Sequence, residues 1–117
     1  MGLFDRFKVP SVSGADAREW IRAGAQMLDV RETGEWNAGH APQALHIPRS
    51  QVTSRMNRLK KDKQIVVICR SGNRSRAVTS QLRKQGYEAF SLSGGMRAWE
   101  AAGGQVLDRR GRPGRIA

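Results

Sequence analysis

Short apolar runs alternate along the chain with segments of helical periodicity, a pattern typical of βα units around a parallel sheet. The longest apolar run, at 65–69, contains four consecutive β-branched residues and predicts a central strand at 64–69 that is buried on both faces. Three further strands are predicted, at 25–30, 44–47 and 87–92. Helices are predicted at 13–24, 50–59, 75–85 and 96–102, and 32–40 is expected to be a loop with about one helical turn. The pattern therefore predicts an α/β fold.

Length and composition fit one folded domain. The chain has 117 residues, and counting glycine brings its apolar fraction to about 49%, an ordinary globular value. We expect one domain over residues 1–108, with 1–8 as a lead-in. The tail at 109–117 combines four arginines with glycine and proline, and it is expected to be disordered.

The charge of the chain favours anionic partners. Lysine and arginine exceed aspartate and glutamate by 11, and seven of these charges remain after the tail arginines are removed. Such a field attracts anionic substrates and partners without indicating a fold. Nucleic acid is not otherwise favoured, because the sequence shows neither an aromatic platform nor a recognised binding motif.

A single cysteine, Cys69, excludes an intramolecular disulfide and any multi-thiolate zinc site. A lone thiol fits a reducing compartment. No apolar run approaches the roughly 18 residues of a membrane helix, and the N-terminus lacks a hydrophobic signal core. We therefore expect a cytoplasmic protein that makes no use of a membrane.

The sequence that follows the central strand is the strongest candidate site. In an open parallel sheet the functional crevice lies at the carboxyl ends of the strands, where Cys69 is predicted to lie. The loop continues as Arg70, Ser71, Gly72, Asn73, Arg74 and Ser75. Gly72 and Asn73 tolerate positive φ, so the loop can curl and point its N–H groups inward as an anion-binding nest.

That setting favours the thiolate form of Cys69. A pKa lowered by about two units corresponds to roughly 2.7 kcal/mol of differential stabilisation. The same donors would hold an anionic sulfur substrate, and Arg70 and Arg74 can bind oxyanions through their guanidinium groups. The alternative is a buried, inert cysteine that ends a strand.

Three segments, in order, resemble the signatures of rhodanese-like domains. The first is Leu-Asp-Val-Arg-Glu at 28–32, followed by Glu-Trp at 35–36 and Gly-His at 39–40. The second is the cysteine loop at 69–75, and the third is Leu-Ser-Gly-Gly-Met-Arg-Ala-Trp at 92–99. The resemblance covers most of the chain and implies a three-layer α/β fold with a five-stranded, mostly parallel sheet.

The resemblance also implies an activity, that of a single-domain thiosulfate or persulfide sulfurtransferase. Cys69 would take a sulfane sulfur from a small anionic donor and pass it to cyanide or a thiol, including a protein thiol. The amides of residues 70–74 would surround the persulfide, and Asp29 and Arg31 would support the site. Neither a metal nor an organic cofactor is implied, and the donor, acceptor and oligomeric state are left open.

Gln43 and His46 depart from the family pattern after Gly-His, which affects the rim of the pocket but not the nucleophile. A phosphatase or arsenate reductase loop has five residues between its cysteine and arginine, whereas this loop has four. No histidine follows Cys69 to act as a protease base.

His40 is expected to be a hydrogen-bonded signature residue, and Trp36 and Trp99 are expected to be packing residues. A regulatory or sulfur-relay module that docks on an acidic protein or RNA is the remaining alternative.

Overall fold

A five-stranded parallel sheet forms the centre of the protein in a computed structural model, which describes residues 9–117. The strands are β1 (Ser11–Val12), β2 (Gln26–Asp29), β3 (Leu45–His46), β4 (Ile65–Ile68) and β5 (Ala89–Leu92). Their order is β1-β5-β4-β2-β3, and each of the four pairings is parallel. The predicted α/β fold is confirmed, whereas the expected lead-in at 1–8 lies outside the described residues.

Helices cover both faces of this sheet. They are α1 (Gly14–Arg22), α2 (Thr33–Ala38), α3 (Val52–Arg55), α4 (Asn73–Lys84) and α5 (Gly95–Ala101). The helix predicted at 50–59 is broken, because 3₁₀ turns at Arg49–Gln51 and Met56–Arg58 flank the single turn of α3. Its inward face is as predicted, with Val52 and Leu59 buried. Between residues 9 and 117, no helix has the length and apolar character needed to cross a membrane.

The central strand β4 divides the core into two layers. Its side chains alternate, so Ile65 and Val67 join one apolar cluster while Val66 and Ile68 join the other. The first cluster includes side chains of α3 and α4, and the second includes side chains of α1 and α5. Cys69 continues the alternation of Ile65 and Val67 and packs in the first cluster. The pleat of β4 therefore places the thiol on the α4 side of the sheet.

The edge strand β1 was not predicted. Two residues are too few to show an alternating pattern, and their position is fixed by pairing with β5. Ser11 lies opposite Ser91, whose backbone N–H donates to the carbonyl of Pro10. This edge strand covers β5 next to the carboxyl end of the sheet.

The prediction of a disordered tail at 109–117 was wrong. Backbone N–H groups of Arg109 and Arg115 donate to carbonyls at the end of α2, at 3.2 and 2.9 Å. Asp108 accepts the N–H groups of Arg110 and Arg112 and closes a turn, while Ile116 packs on the second core cluster. Composition indicated disorder because backbone hydrogen bonds, rather than an apolar face, hold most of this segment.

Two close approaches fix the C-terminal segment, which we define as residues 104–116. A Cβ on Gly39 would overlap the carbonyl of Arg115, and one on Gly104 would overlap the ring of Trp99. The Trp99 indole N–H also donates to the carbonyl of Gln105 at 2.9 Å. Trp99 is 1% exposed, as expected of a packing residue. The segment therefore covers α2 and α5 together.

Candidate active site

Cys69 directly follows β4 and begins the loop that leads into α4. The backbone N–H of Gly72 donates to the Cys69 sulfur at 3.0 Å. Gly72 has a φ of 113°, the left-handed conformation that turns the chain back toward the sulfur. Contrary to the prediction, Asn73 does not adopt a positive φ, because α4 begins at this residue. The curled loop is confirmed, with Gly72 as its single left-handed residue.

The Ser75 hydroxyl connects the sulfur to a second buried hydroxyl, that of Ser91. Ser75 Oγ is 3.6 Å from Cys69 Sγ, 3.0 Å from the carbonyl oxygen of Gly72 and 2.7 Å from Ser91 Oγ. Ser75 is in the first turn of α4 and Ser91 is in β5, and both are buried. Polar groups therefore line the sulfur even though Cys69 itself is only 1% exposed.

The surroundings of Cys69 favour its ionised form. Burial alone would raise the pKa of the thiol, because a low-dielectric environment disfavours the thiolate. Hydrogen bonds from the Ser75 hydroxyl and from the backbone N–H groups of Ser75, Gly72 and Ser71 act in the opposite direction. These bonds outweigh burial and hold the pKa of Cys69 below its ordinary value.

The two arginines of the loop differ in their contacts. Arg74 donates from Nη1 and Nη2 to the two carboxylate oxygens of Glu35, at 2.6 and 2.8 Å. Its charge is therefore largely compensated, although it still interacts favourably with Cys69. Arg70 is exposed and makes no ion pair with any residue from 9 to 117. Both arginines were predicted to bind the anionic sulfur donor. Among the described residues, Arg74 has a partner that compensates its charge, whereas Arg70 has none.

Glu35 connects the loop to α2. Besides Arg74, its carboxylate accepts the backbone N–H of Glu32 at 3.0 Å, as in a capping box at the start of a helix. The hydrogen bond from Arg74 lowers the pKa of Glu35 from 4.5 to about 2, against the opposing effect of burial. Glu35 is therefore ionised at neutral pH and fixes Arg74 in place.

Asp29 and Arg31 form a fully buried ion pair at the carboxyl end of β2. Arg31 Nη2 lies 2.7 Å from Asp29 Oδ2, and both side chains are 0% exposed. The same nitrogen donates to the carbonyl of Gly39 at 2.7 Å, and Nη1 donates to the carbonyl of Glu35 at 3.4 Å. The pair thus anchors the middle and the C-terminal end of α2, the helix that carries Glu35.

Trp36 of α2 is stacked on two imidazole rings. Its ring stacks on His40 with centroids 3.7 Å apart and on His46 with centroids 4.7 Å apart. His40 Nδ1 bonds the carbonyl of Trp36 at 2.7 Å, as expected of a hydrogen-bonded residue. His46 Nε2 bonds the carbonyl of Arg31 at 2.8 Å, so this departure from the family pattern has a structural role that sequence reasoning missed.

The glycine pair after β5 packs against the cysteine loop. The backbone N–H of Met96 donates to the carbonyl of Cys69 at 2.9 Å. A Cβ on Gly95 would overlap the carbonyls of Cys69 and Arg70, and Gly95 has a φ of 59°. The start of α5 therefore packs directly against the backbone of the cysteine loop, and this close approach requires glycine at position 95.

A pocket of about 420 Å³ opens on the β5 side of the loop. Its walls come from β1, from the loop and α4, and from the end of β5: Val9, Ser11, Ser71, Gly72, Asn73, Arg76, Ser91, Leu92, Ser93 and Gly94. Cys69 does not line it. In residues 9–117, no three side chains of His, Cys, Asp or Glu come together to hold a metal ion.

The structure thus folds the cysteine loop around the Cys69 sulfur. Asp29 and Arg31 contact each other and α2 rather than the sulfur. Sequence reasoning missed Glu35 and Ser91 as members of the site. Glu35 lies 39 residues from Arg74, and Ser91 lies 16 residues from Ser75. The Glu32–Glu35 spacing indicates a helix start, but no local pattern indicates either long-range contact.

Comparisons with known proteins agree with this geometry. The family model described as "Rhodanese-like domain" matches residues 13–102. A Bacillus subtilis (strain 168) protein named "Putative sulfurtransferase YtwF" is 41% identical over 95 residues, covering 80% of this chain and 92% of that protein. A crystal structure of a rhodanese-related protein from Thermoplasma volcanium has a TM-score of 0.77 at 35% identity, covering 84% of this chain and 97% of the other.

One further structure matches nearly the whole chain in fold. A thiosulfate sulfurtransferase from Pseudomonas aeruginosa has a TM-score of 0.80, with 98% of this chain and 23% of that chain covered. At 24% identity this likeness concerns the fold alone. With a family match over 90 of 117 residues and a curled cysteine loop at the carboxyl end of β4, the chain belongs to the rhodanese-like domain family.

Proposed function

We propose that this protein is a sulfurtransferase that moves a sulfane sulfur from thiosulfate or a small persulfide to a thiophilic acceptor through a persulfide on Cys69. The observation that carries the proposal is the sulfur environment. Cys69 Sγ receives the Gly72 N–H at 3.0 Å, lies beside the Ser75 hydroxyl and has its pKa lowered. An inert buried cysteine needs no such donors.

The proposed reaction has two displacement steps. The Cys69 thiolate attacks the outer sulfur of thiosulfate, an S–S bond forms to Cys69, and the S–S bond of the donor breaks as sulfite leaves with its electron pair. Cyanide or a thiolate then attacks the terminal persulfide sulfur, and the Cys69 thiolate leaves. Because the intermediate is covalent, we expect ping-pong kinetics.

The loop residues have different roles in this proposal. The N–H groups of Ser71, Gly72 and Ser75 stabilise the anionic sulfur before and after loading. Exposed Arg70 attracts the anionic donor, whereas Arg74, paired with Glu35, joins α4 to α2 and attracts the donor more weakly because its charge is largely compensated. Asp29 and Arg31 support the site indirectly, because their contacts are with each other and with α2.

A lone thiol and the proposed persulfide chemistry both suit a reducing compartment, so we place this activity in the cytoplasm. A low-molecular-weight thiol is the simplest acceptor there. The net charge of +11 adds long-range attraction for anionic donors, an effect that added salt would weaken.

The test is persulfide formation on Cys69. Wild-type protein treated with thiosulfate or glutathione persulfide should gain the mass of one sulfur atom and lose it on addition of cyanide. Cys69→Ser should gain no sulfur and form no thiocyanate while unfolding at a similar temperature. Thr79→Val is a matched control on α4, since Thr79 Oγ1 is buried and has no hydrogen-bond partner between residues 9 and 117.

Two results would contradict the proposal. One is unchanged thiocyanate formation by Cys69→Ser, and the other is wild-type protein that takes up no sulfur from any donor. Aryl phosphate and arsenate are tested in parallel, because turnover of either by the wild type but not by Cys69→Ser would assign the loop to phosphatase or reductase chemistry instead.

A further inference from the structure

Three atoms compete for the single proton of the Ser75 hydroxyl. Ser75 Oγ lies within hydrogen-bond distance of Cys69 Sγ, of the Gly72 carbonyl oxygen and of Ser91 Oγ. A hydroxyl donates one hydrogen bond and accepts up to two. The carbonyl oxygen only accepts, so the assignment of protons depends on the state of the sulfur.

When Cys69 is a neutral thiol, one arrangement of protons gives every group in this cluster a hydrogen bond. The Cys69 S–H donates to Ser75 Oγ, Ser75 donates to the Gly72 carbonyl, and Ser91 donates to Ser75. With a thiolate, the sulfur only accepts, and the 3.6 Å contact becomes favourable when Ser75 turns its proton toward sulfur. Ionisation breaks the S–H bond and releases its proton to solvent. The Ser75 hydroxyl then rotates and gives up its hydrogen bond to the Gly72 carbonyl, which still accepts the backbone N–H of Arg76 at 3.1 Å.

Because Ser75 has one proton and gives it to the Gly72 carbonyl in one state and to sulfur in the other, the 2.7 Å contact between the two hydroxyls requires Ser91 to donate to Ser75 in both. By this donation it occupies an acceptor site of Ser75, leaves the Ser75 proton available to sulfur, and polarises the Ser75 O–H so that it donates more strongly. Ser91 comes from β5, a different element from the loop and from α4. Its position is fixed by the ladder with β1, since its N–H donates to Pro10 at 2.9 Å.

We propose that Ser91 is a positioning residue for sulfur transfer: through Ser75 it directs a side-chain hydrogen bond to the anionic sulfur of Cys69. This inference rests on the proposed function for its role in turnover, but its effect on the resting sulfur is measurable without any donor. The same relay would serve the thiolate that leaves when the persulfide is discharged.

The charged groups around Cys69 remain unchanged in the test variants. Arg74 of α4 interacts with Cys69 and is paired with Glu35 of α2, while Asp29 and Arg31, at and just after the end of the neighbouring strand β2, are paired with each other. A change in the ionisation of Cys69 in Ser75 or Ser91 variants is therefore due to the hydroxyl groups.

The experiment is the rate of iodoacetamide alkylation of the full chain as a function of pH. Only Cys69 reacts, because the chain contains one cysteine. Ser75→Ala should raise the apparent pKa of Cys69 by about 1, and Ser91→Ala should raise it by about 0.5, equivalent to a roughly threefold slower reaction at low pH. In the Ser75→Ala background, Ser91→Ala should add nothing, because its effect passes through Ser75.

Two controls separate positioning from packing. Ser91→Thr keeps the hydroxyl and should restore the wild-type pH profile, while Thr79→Val removes a buried hydroxyl one turn away on α4 and should leave the profile unchanged. Superimposable profiles for Ser91→Ala and wild type, or additive effects of the two alanine substitutions, would overturn the inference.

Sulfur loading then tests the link to turnover separately. Ser91→Ala should load sulfur about threefold more slowly at low pH with an unchanged KM for thiosulfate, whereas a raised KM with unchanged loading would contradict a positioning role. If wild-type protein takes up no sulfur at all, the proposed function fails, yet the alkylation profiles still decide whether Ser91 acts on Cys69.

Discussion

Two ion pairs near α2 use similar chemical groups in different environments. The Asp29–Arg31 pair is fully buried, and Arg31 also donates to carbonyls in the middle and at the C-terminal end of the helix. The Glu35–Arg74 pair is partly exposed, with side chains 20% and 30% accessible, and it joins the helix to the cysteine loop. Water therefore cannot replace a lost partner in the first pair, which has a structural role. The second pair is accessible to salt, protons and substrate.

The comparison separates stability from function. A buried charge that loses its partner has no water to replace it, so the cost appears in folding. A partly exposed pair contributes little to folding, but its charges act on an anion that approaches the loop. Substitutions that break each pair in turn distinguish the two effects.

The largest effect is expected from the buried pair. Arg31→Met leaves the Asp29 carboxylate buried without its partner and should lower the free energy of unfolding by about 3–5 kcal/mol, measured by urea denaturation. Arg22→Met is the matched control, because Arg22 forms an exposed pair with Glu19 on α1. A loss below about 1 kcal/mol for Arg31→Met, similar to that of the control, would show that burial does not distinguish the two pairs.

The two halves of the exposed pair should have opposite effects on donor binding. Glu35→Gln removes a negative charge beside the loop and should lower the KM for thiosulfate, whereas Arg74→Ala leaves Glu35 uncompensated and should raise it, each about two- to fivefold. Stability should change by about 1 kcal/mol or less in each case. Glu19→Gln, which makes the same charge change on α1, should leave the KM unchanged.

Changes in KM of the same sign for Glu35→Gln and Arg74→Ala would contradict this electrostatic explanation. Such a result would mean that the pair acts only by holding α4 against α2, since either substitution breaks that contact. Denaturation midpoints measured on the same samples would then fall together with activity.

The smallest expected effect is in acid. The folded-state pKa of Glu35 is about 2, below its ordinary value of 4.5. Its pair therefore stabilises the fold above pH 4.5, and this contribution is lost as the pH falls toward 2. The wild type should lose about 1 kcal/mol more than Glu35→Gln across this window, measured by denaturation at each pH. Parallel curves for the two proteins would show that Glu35 is not responsible.

Sequence reasoning predicted the elements whose signals are local. The β-branched run of β4 indicated a buried central strand, and the glycine at position 72 indicated the sharp turn beside Cys69. Both follow from residue types within a few positions of each other. The chain order of the three signature segments then indicated the family.

The features that were missed depend on partners distant in sequence. The contact of Glu35 with Arg74 and that of Ser91 with Ser75 exist only because parallel strands bring α2, α4 and β5 to one edge of the sheet. The order of the C-terminal segment likewise depends on carbonyls of α2 and the ring of Trp99. Composition shows none of these contacts.

The packing of the C-terminal segment has a practical consequence for protein engineering. An affinity tag or a fused domain attached at Ala117 would emerge beside α2, because Arg115 is bonded to Ala38. Trimming the chain to the family boundary at residue 102 would instead leave the Trp99 indole without its acceptor at Gln105. Purification handles are therefore best kept away from this end when kinetics are compared between variants.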